Sequence, residues 1–518
     1  MTSIDAAAAG RRALARADHD PPPLPRSVLT RHGARMLDPV VALLVDGLPT
    51  PRPTAYVRAH LLVSQQADAG SVLGLLEGGA RELGWVVAVD DEFGAGRGRT
   101  KSPRAGVLRL KLRPGGTGAV TPPDAWTLLQ TVRGEHGADS MRGVGLDHLL
   151  VAGPGVGANP FHESNPFHES NPAMGSYGSP GSGGRQPVSL RMTRPDRGVE
   201  QRDRRRPLAV VLDTGYGAHP WFPGVVSTLQ MDGRSVGIDD PATDPDTVGD
   251  VYGPLDGVLD PVSGHGTFIA GLIHQICPEA DIRAARVANA DGVVVESELV
   301  AALEDLVELT QRAASGQHGG LAVDVLNLSM GYYHETPEDA LFDVAMLPLL
   351  EQLADTGTVV VASAGNDGTT RPMLPAAFGP WTGGGGAPLT STRPPVLSVG
   401  ARNPDDTVAL FSNAGRWVRV ERSGAALVST FPPLQGGYEP MIRTHAQGQV
   451  RESIDPDDFT GGFAVWSGTS FAAPLLAAEI ARFLARDGIS APAADTQPGD
   501  AVARAWKAVT AVTGITVA

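Results

Sequence analysis

Between residues 153 and about 205 the sequence loses the means to build a core. Asn159-Pro160-Phe161-His162-Glu163-Ser164 repeats at once as Asn165-Pro166-Phe167-His168-Glu169-Ser170, followed by Asn171-Pro172 and the run GSYGSPGSGGRQP. Such composition buries too little apolar area to offset the entropy of ordering, which predicts a flexible linker over 153–206. The His-Glu pairs inside the repeat lack a rigid frame, so they read as a duplicated linker segment and not as a metal site. A break of this kind divides the 518 residues into units that must each form their own core.

Ahead of the break, residues 1–50 mix Ala, Arg and Pro and predict a flexible arm. From Thr54 the pattern tightens. Val57, Ala59, Leu61 and Val63 alternate with Tyr56, Arg58, His60 and Leu62, as in a half-buried strand. Val72, Leu75, Leu76 and Leu83 recur at helical spacing, and strand candidates follow at 85–89 and 108–112. A second helix carries Trp126, Leu129 and Val132, and 149–151 closes the unit as a strand. The order β-α-β-β-α-β over 51–152 predicts a small α+β, ferredoxin-like domain. It holds no catalytic constellation, so it reads as a binding or folding module.

Beyond the break, from 207 to 518, short apolar runs alternate with helical stretches. Residues 208–212 form a continuous apolar strand, with further strands expected at 283–288, 323–328, 359–362 and 396–399. Helices are expected at 296–314 and 337–354. The alternation predicts an α/β unit, a parallel sheet flanked by helices.

The net charge of −15 opposes a phosphate backbone and disfavours nucleic-acid partners. The single cysteine, Cys277, rules out an intrachain disulfide and reads as a buried, inert thiol. No secretory signal and no membrane-spanning run is recognised, so the expectation is a cytoplasmic protein without a membrane partner.

Three short motifs carry the chemistry. Asp213-Thr214-Gly215 follows the apolar strand, His265 sits between Gly264 and Gly266, and Ser470 lies in Gly468-Thr469-Ser470-Phe471-Ala472-Ala473-Pro474. A serine hydroxyl needs a base to become a nucleophile at neutral pH, histidine suits that role, and a carboxylate fixes the imidazole tautomer. Ser470 at a helix start would place free N–H groups beside developing negative charge. Asn366, in Ser363-Ala364-Gly365-Asn366-Asp367-Gly368, supplies a side-chain donor for an oxyanion. Each motif alone also reads as a turn, a loop histidine or a capped helix start.

In this order the motifs resemble those of the subtilisin-like serine proteases, from about residue 208 to the carboxyl end. The resemblance implies Asp213, His265 and Ser470 as the catalytic trio and Asn366 as the oxyanion donor. It implies that Ser329, Met330 and Gly331 form an edge strand pairing with an extended peptide or protein substrate, and that Ser363, Ala364 and Gly365 line the pocket before the cut. The implied activity is a serine endopeptidase, a processing protease, requiring no cofactor. Calcium is known in the family, but Asp239, Asp240, Asp244, Asp246 and Asp250 match no ligand template and read as a solvated loop.

Many relatives also carry an amino-terminal β-α-β-β-α-β folding domain removed by self-cleavage, which makes residues 51–152 a candidate intramolecular partner and the chain a candidate zymogen. Phe161 and Phe167, or the cluster Arg202, Arg204, Arg205 and Arg206, are candidate cut positions. The rival reading is a catalytically silent scaffold that docks extended peptides.

Overall fold

The computed structural model describes residues 19–64, 67–91, 93, 107–116, 121–152, 184–198, 204–336, 346–383, 385–487, 489–490 and 498–517. The NPFHES repeat, with Phe161 and Phe167, lies outside them.

The amino-terminal unit opens with helix α1 (Arg26–Arg31) and strand β1 (Ala34–Met36). Then come β2 (Ala55–Ser64), α2 (Ala69–Glu82), β3 (Trp85–Val89), β4 (Val107–Pro114), α3 (Ala125–His136) and β5 (Val144–Ala152), the order expected from the periodicity. Asp68 and Asp124 start α2 and α3 by accepting the Ser71 and Thr127 N–H groups. Leu61, Leu76, Leu110, Leu128, Leu129 and Leu146 form its core between sheet and helices. β2 is buried at both ends, on both faces, and not half-exposed, because the strand lies inside the sheet with helices on one side and the second unit close by.

In the second unit seven parallel strands stand in the order β14-β13-β12-β10-β6-β8-β7. They are β6 (Leu208–Asp213), β7 (Val226–Thr228), β8 (Asp281–Arg286), β10 (Val325–Leu328), β12 (Val359–Ser363), β13 (Leu397–Arg402) and β14 (Val420–Ser423). Helices α4 (His265–Ile276) and α7 (Thr469–Asp487) share an apolar cluster with one sheet face. The other face packs with α5 (Glu296–Ala314) and α6 (Leu347–Asp355). Burial on both sides is why the run 208–212 shows no polar alternation. The expected helix 337–354 is seen from Leu347 on, residues 337–345 being outside the described set.

Two short strands, β9 (Val293–Val295) and β11 (Met330–Gly331), leave the parallel sheet and pair antiparallel with β5. The amino-terminal sheet therefore runs into the second unit, in the order β9-β5-β2-β4-β3 with β11 also on β5.

Two expected flexible stretches are packed where they are described. In the arm, the Thr369 hydroxyl donates to the His19 carbonyl at 2.7 Å, and Arg371 reaches Asp20 Oδ1 at 3.1 Å. In the linker, Gln186–Pro187 pairs with β15 (Phe463–Trp466), and buried Arg185 donates to the carbonyls of Leu259, Asp260, Pro261 and Ser263. Both corrections have one cause: single guanidinium groups gather carbonyls and carboxylates, a device that leaves no hydrophobic period in the sequence. Arg205 likewise forks onto Asp324 at 2.6 and 2.9 Å, and Arg206 pairs with Glu279. Neither side chain is the open recognition site that a cut there requires. Among the described residues no helix is long and apolar enough to cross a membrane.

Candidate active site

β6 delivers Asp213 at its carboxyl end, and α4 begins at His265. Gly264, the α4 N-cap, has φ +81°, and a side chain there would meet the Phe431 ring. A Cβ at Gly266 would fall 2.1 Å from the Gly215 carbonyl oxygen, so only glycine lets the helix start approach the strand end this closely. The result is a fully buried pair, with His265 Nδ1 2.6 Å from Asp213 Oδ1. Asp213 Oδ1 also accepts the Thr214 N–H at 2.8 Å. The carboxylate thus claims the proton on Nδ1 and leaves Nε2 as the basic nitrogen. Nε2 has no hydrogen-bond partner among the described residues.

Ser470 is the second residue of α7, where backbone N–H groups have no carbonyl one turn back. Its hydroxyl donates to the Ser329 carbonyl at 3.4 Å, and the Ser329 hydroxyl donates to the Ser470 carbonyl at 2.8 Å. The imidazole and the hydroxyl are not hydrogen-bonded to each other. Phe471, the next residue, has its ring centroid 5.1 Å from that of His265. Long nucleophile–base contacts are common before a substrate tightens the site.

Asn366 Oδ1 accepts both the N–H (2.8 Å) and the hydroxyl (2.9 Å) of Thr469. The oxygen end therefore faces Thr469, the residue before Ser470, and the NH2 is the donor end of the side chain. Gly365, at φ +101°, gives its N–H to the Thr469 hydroxyl at 3.0 Å. Asn413, which the motifs did not flag, holds the same loop. Its side chain donates to the Ala364 carbonyl at 2.8 Å and accepts the Asp367 and Thr369 N–H groups at 3.0 and 3.2 Å.

The edge strand expected at 329–331 is β11, with Ser329 just before it. It pairs with the chain's own β5 through Ala152↔Met330 and Val151↔Gly331, and β9 pairs with the other side through Val293↔Val151 and Val294↔Leu150. Leu150 and Ala152 point into the apolar cluster that contains Met330, Tyr332 and Met373. Of the expected pocket residues, Ser363 ends β12 and is buried, as is Ala364. Met373, also missed, stands between the two glycine segments, since a Cβ at Gly331 or at Gly365 would lie 2.4 or 2.6 Å from its atoms.

The acidic loop is not uniformly solvated. Asp246 is buried and accepts hydrogen bonds from Thr214 and Thr267, while Asp240 caps the turn Pro241–Thr243. Burial pushes the Asp246 carboxyl up, hydrogen bonds from Thr267 and Thr214 pull it back in part, and it settles at about 6. Counting exposed-looking acids in a loop gave no hint of this inward turn.

His148, His334 and Glu335 bring ligand-type atoms within 4.8 Å of one another. Four of their ligand-type atoms are already engaged. His148 Nδ1 lies 2.6 Å from Glu296 Oε2, its Nε2 lies 2.8 Å from Glu335 Oε2, and His334 Nδ1 accepts the Thr336 N–H at 3.0 Å. The grouping is an ion-pair clamp between β5 and the second unit.

A sequence model of the Subtilase family (Peptidase_S8) matches residues 208–509. Among curated relatives, the thermophilic serine proteinase of Bacillus sp. (strain AK1) is 28% identical over 222 residues, 39% of this chain and 47% of that protein. Subtilisin-like protease 1 of Arthroderma gypseum is 28% identical over 233 residues, 44% of this chain and 37% of that protein. The chain spans less than half the length of these relatives. Among solved structures, fervidolysin from Fervidobacterium pennivorans aligns with TM-score 0.46 and 19% identity, over 86% of this chain and 56% of its own. A cold adapted subtilisin-like serine proteinase aligns with TM-score 0.35 and 20% identity, over 60% and 86%.

Proposed function

The chain belongs to the subtilase family, and we propose that it is a serine endopeptidase held in a self-occupied state by its amino-terminal domain. In this reading His265 Nε2 removes the Ser470 hydroxyl proton as Oγ attacks the scissile carbonyl, and Asp213 stabilises the imidazolium from the Nδ1 side. The Asn366 amide and the Ser470 backbone N–H receive the oxyanion. The imidazolium then protonates the leaving amine, and water releases the acyl group by the same route. The single observation that carries the proposal is the buried 2.6 Å contact of His265 with Asp213. A satisfied structural histidine would have both ring nitrogens paired, whereas here Nε2 is buried and unpartnered.

Substrates are extended peptide segments, recognised by β-augmentation between β9 and β11. Support comes from β5, which fills that position through five residue pairs, three with β9 and two with β11. Fully burying one such side chain, Leu150, is worth about 1.5–3 kcal/mol and helps the domain to compete with substrate.

The test is labelling with a fluorophosphonate, read by intact mass and peptide mapping, on wild type and Ser470→Ala. The expected outcome is one adduct on Ser470, absent from the variant. A folded wild-type chain that gains no adduct, even after the amino-terminal domain is cut free, would favour the peptide-docking scaffold instead.

A further inference from the structure

Asp246 sits 33 residues beyond Asp213 and 19 before His265, yet it touches the backbone segments that carry both. The Thr214 hydroxyl donates to its Oδ1 at 2.7 Å. The Thr267 hydroxyl and N–H donate to its Oδ2 at 2.5 and 2.9 Å. Each hydroxyl, its proton spent on the carboxylate, turns a lone pair to the opposite segment. Thr214 Oγ1 accepts the Gly266 N–H at 2.8 Å, and Thr267 Oγ1 accepts the Gly217 N–H at 2.8 Å.

The pattern has one consistent polarity. Both threonines can accept across the gap only because one acceptor-only group takes both hydroxyl protons. Asp246 is 1% exposed, so water offers no substitute acceptor. From these contacts we propose that Asp246 is a positioning residue for the Asp213–His265 pair, setting the gap between the end of β6 and the start of α4. The proposal rests on the endopeptidase reading given above. The charged groups around the carboxylate are Asp244 on its own loop and Arg286 on β8, whose guanidinium donates to the Asp240 carbonyl and the Thr243 hydroxyl.

An amide at this position breaks the polarity. In Asp246→Asn the carboxamide oxygen can serve Thr267, but its NH2 then faces Thr214 Oγ1, which already accepts from Gly266. One hydroxyl must rotate, and the helix start shifts against the strand end. Displacements of about 1 Å near reacting groups cost on the order of 100-fold in rate.

The experiment compares Asp246→Asn, Thr214→Ser and Thr214→Val with wild type, using the self-processed enzyme and a chromogenic peptide. Expected are a kcat reduced about 10–100-fold in Asp246→Asn with KM within about twofold, near-wild-type rates in Thr214→Ser, and a loss in Thr214→Val matching Asp246→Asn. A second readout needs no turnover. In 13C-histidine-labelled Ser470→Ala protein, the His265 imidazole resonances, assigned by their loss in His265→Ala, should move when Asp246→Asn is added. A kcat within twofold of wild type in Asp246→Asn, equal losses in the two Thr214 variants, or unmoved His265 resonances each overturn the proposal. Should Asp246→Asn not fold, the Thr214 pair decides alone. A wild type without a Ser470 adduct sinks the endopeptidase reading, and the His265 resonances still report on Asp246.

Discussion

In the proposed mechanism Asn366 divides its two ends between structure and chemistry. Its oxygen fixes Thr469, the residue before Ser470, and so sets the orientation of its NH2. Asn366→Ala should lower kcat by about 10²–10³ with little change in KM, a figure taken from subtilisin, a member of this same family. Steady-state kinetics on a short peptide check this, and a loss carried by KM would mean that Asn366 binds substrate without stabilising the oxyanion. The Asp213–His265 contact and the place of Asn366 beside Thr469 were legible because each residue lies in a contiguous motif whose neighbours build its turn, as Gly264 and Gly266 do around His265. Asp246, Asn413 and Met373 were not. Asn413 reaches back 49 residues to Ala364 and Asp246 forward 21 to Thr267, and spacing in one sequence does not encode contacts of that range.

At the level of elements, most of the longer strands and helices were readable from period, helix 296–314 to the residue, whereas β1, β7 and β14 and the first half of β5 were not. The pairing of β5 with β9 and β11 was not, since strands of two or three residues have no period to read. That pairing carries its own electrostatic lock. His148, on β5, is buried between Glu296 at the start of α5 and Glu335 just beyond β11, with Tyr332 stacked on its ring at 4.5 Å and His334 alongside. Burial works against the imidazolium, but Glu335 and Glu296 outweigh it and raise its pKa to about 10. Undocked, the same ring returns to about 6.5. The docked state therefore gains its full benefit below about pH 6.5 and loses it as pH rises through 10. In Ser470→Ala protein, hydrogen-exchange protection factors of residues 149–152 should fall between pH 7 and 10. His148→Gln should start lower at pH 7 and change little over that span. A wild-type protection that stays flat with pH would show the clamp to be a packing contact alone.

Over the whole molecule, the packed segments on either side of the repeat decide where the chain can be cut without dismantling either unit. Ala152 belongs to β5, and its N–H is held by the Gly292 carbonyl at 2.8 Å. On the far side Arg185 is buried under the loop 259–263, and Gln186–Pro187 adds an edge to β15. Cleavage at Arg204–Arg206 would have to pull apart the Arg205–Asp324 fork and the Arg206–Glu279 pair, each of which ties this stretch to the parallel sheet. Self-processing should therefore fall between residues 153 and 183. Intact-mass analysis of wild type should find two fragments meeting in that interval, while Ser470→Ala stays at 53.8 kDa. The fragments should co-elute on size exclusion at pH 7, because His148, the β5 pairing and the contact of buried Arg371 with half-exposed Asp20 join the units without the covalent link. A junction after Arg204, Arg205 or Arg206 would mean that the segment 184–206 leaves its packed position before the cut, and the amino-terminal half would then be a removable layer extending well beyond the ferredoxin-like domain.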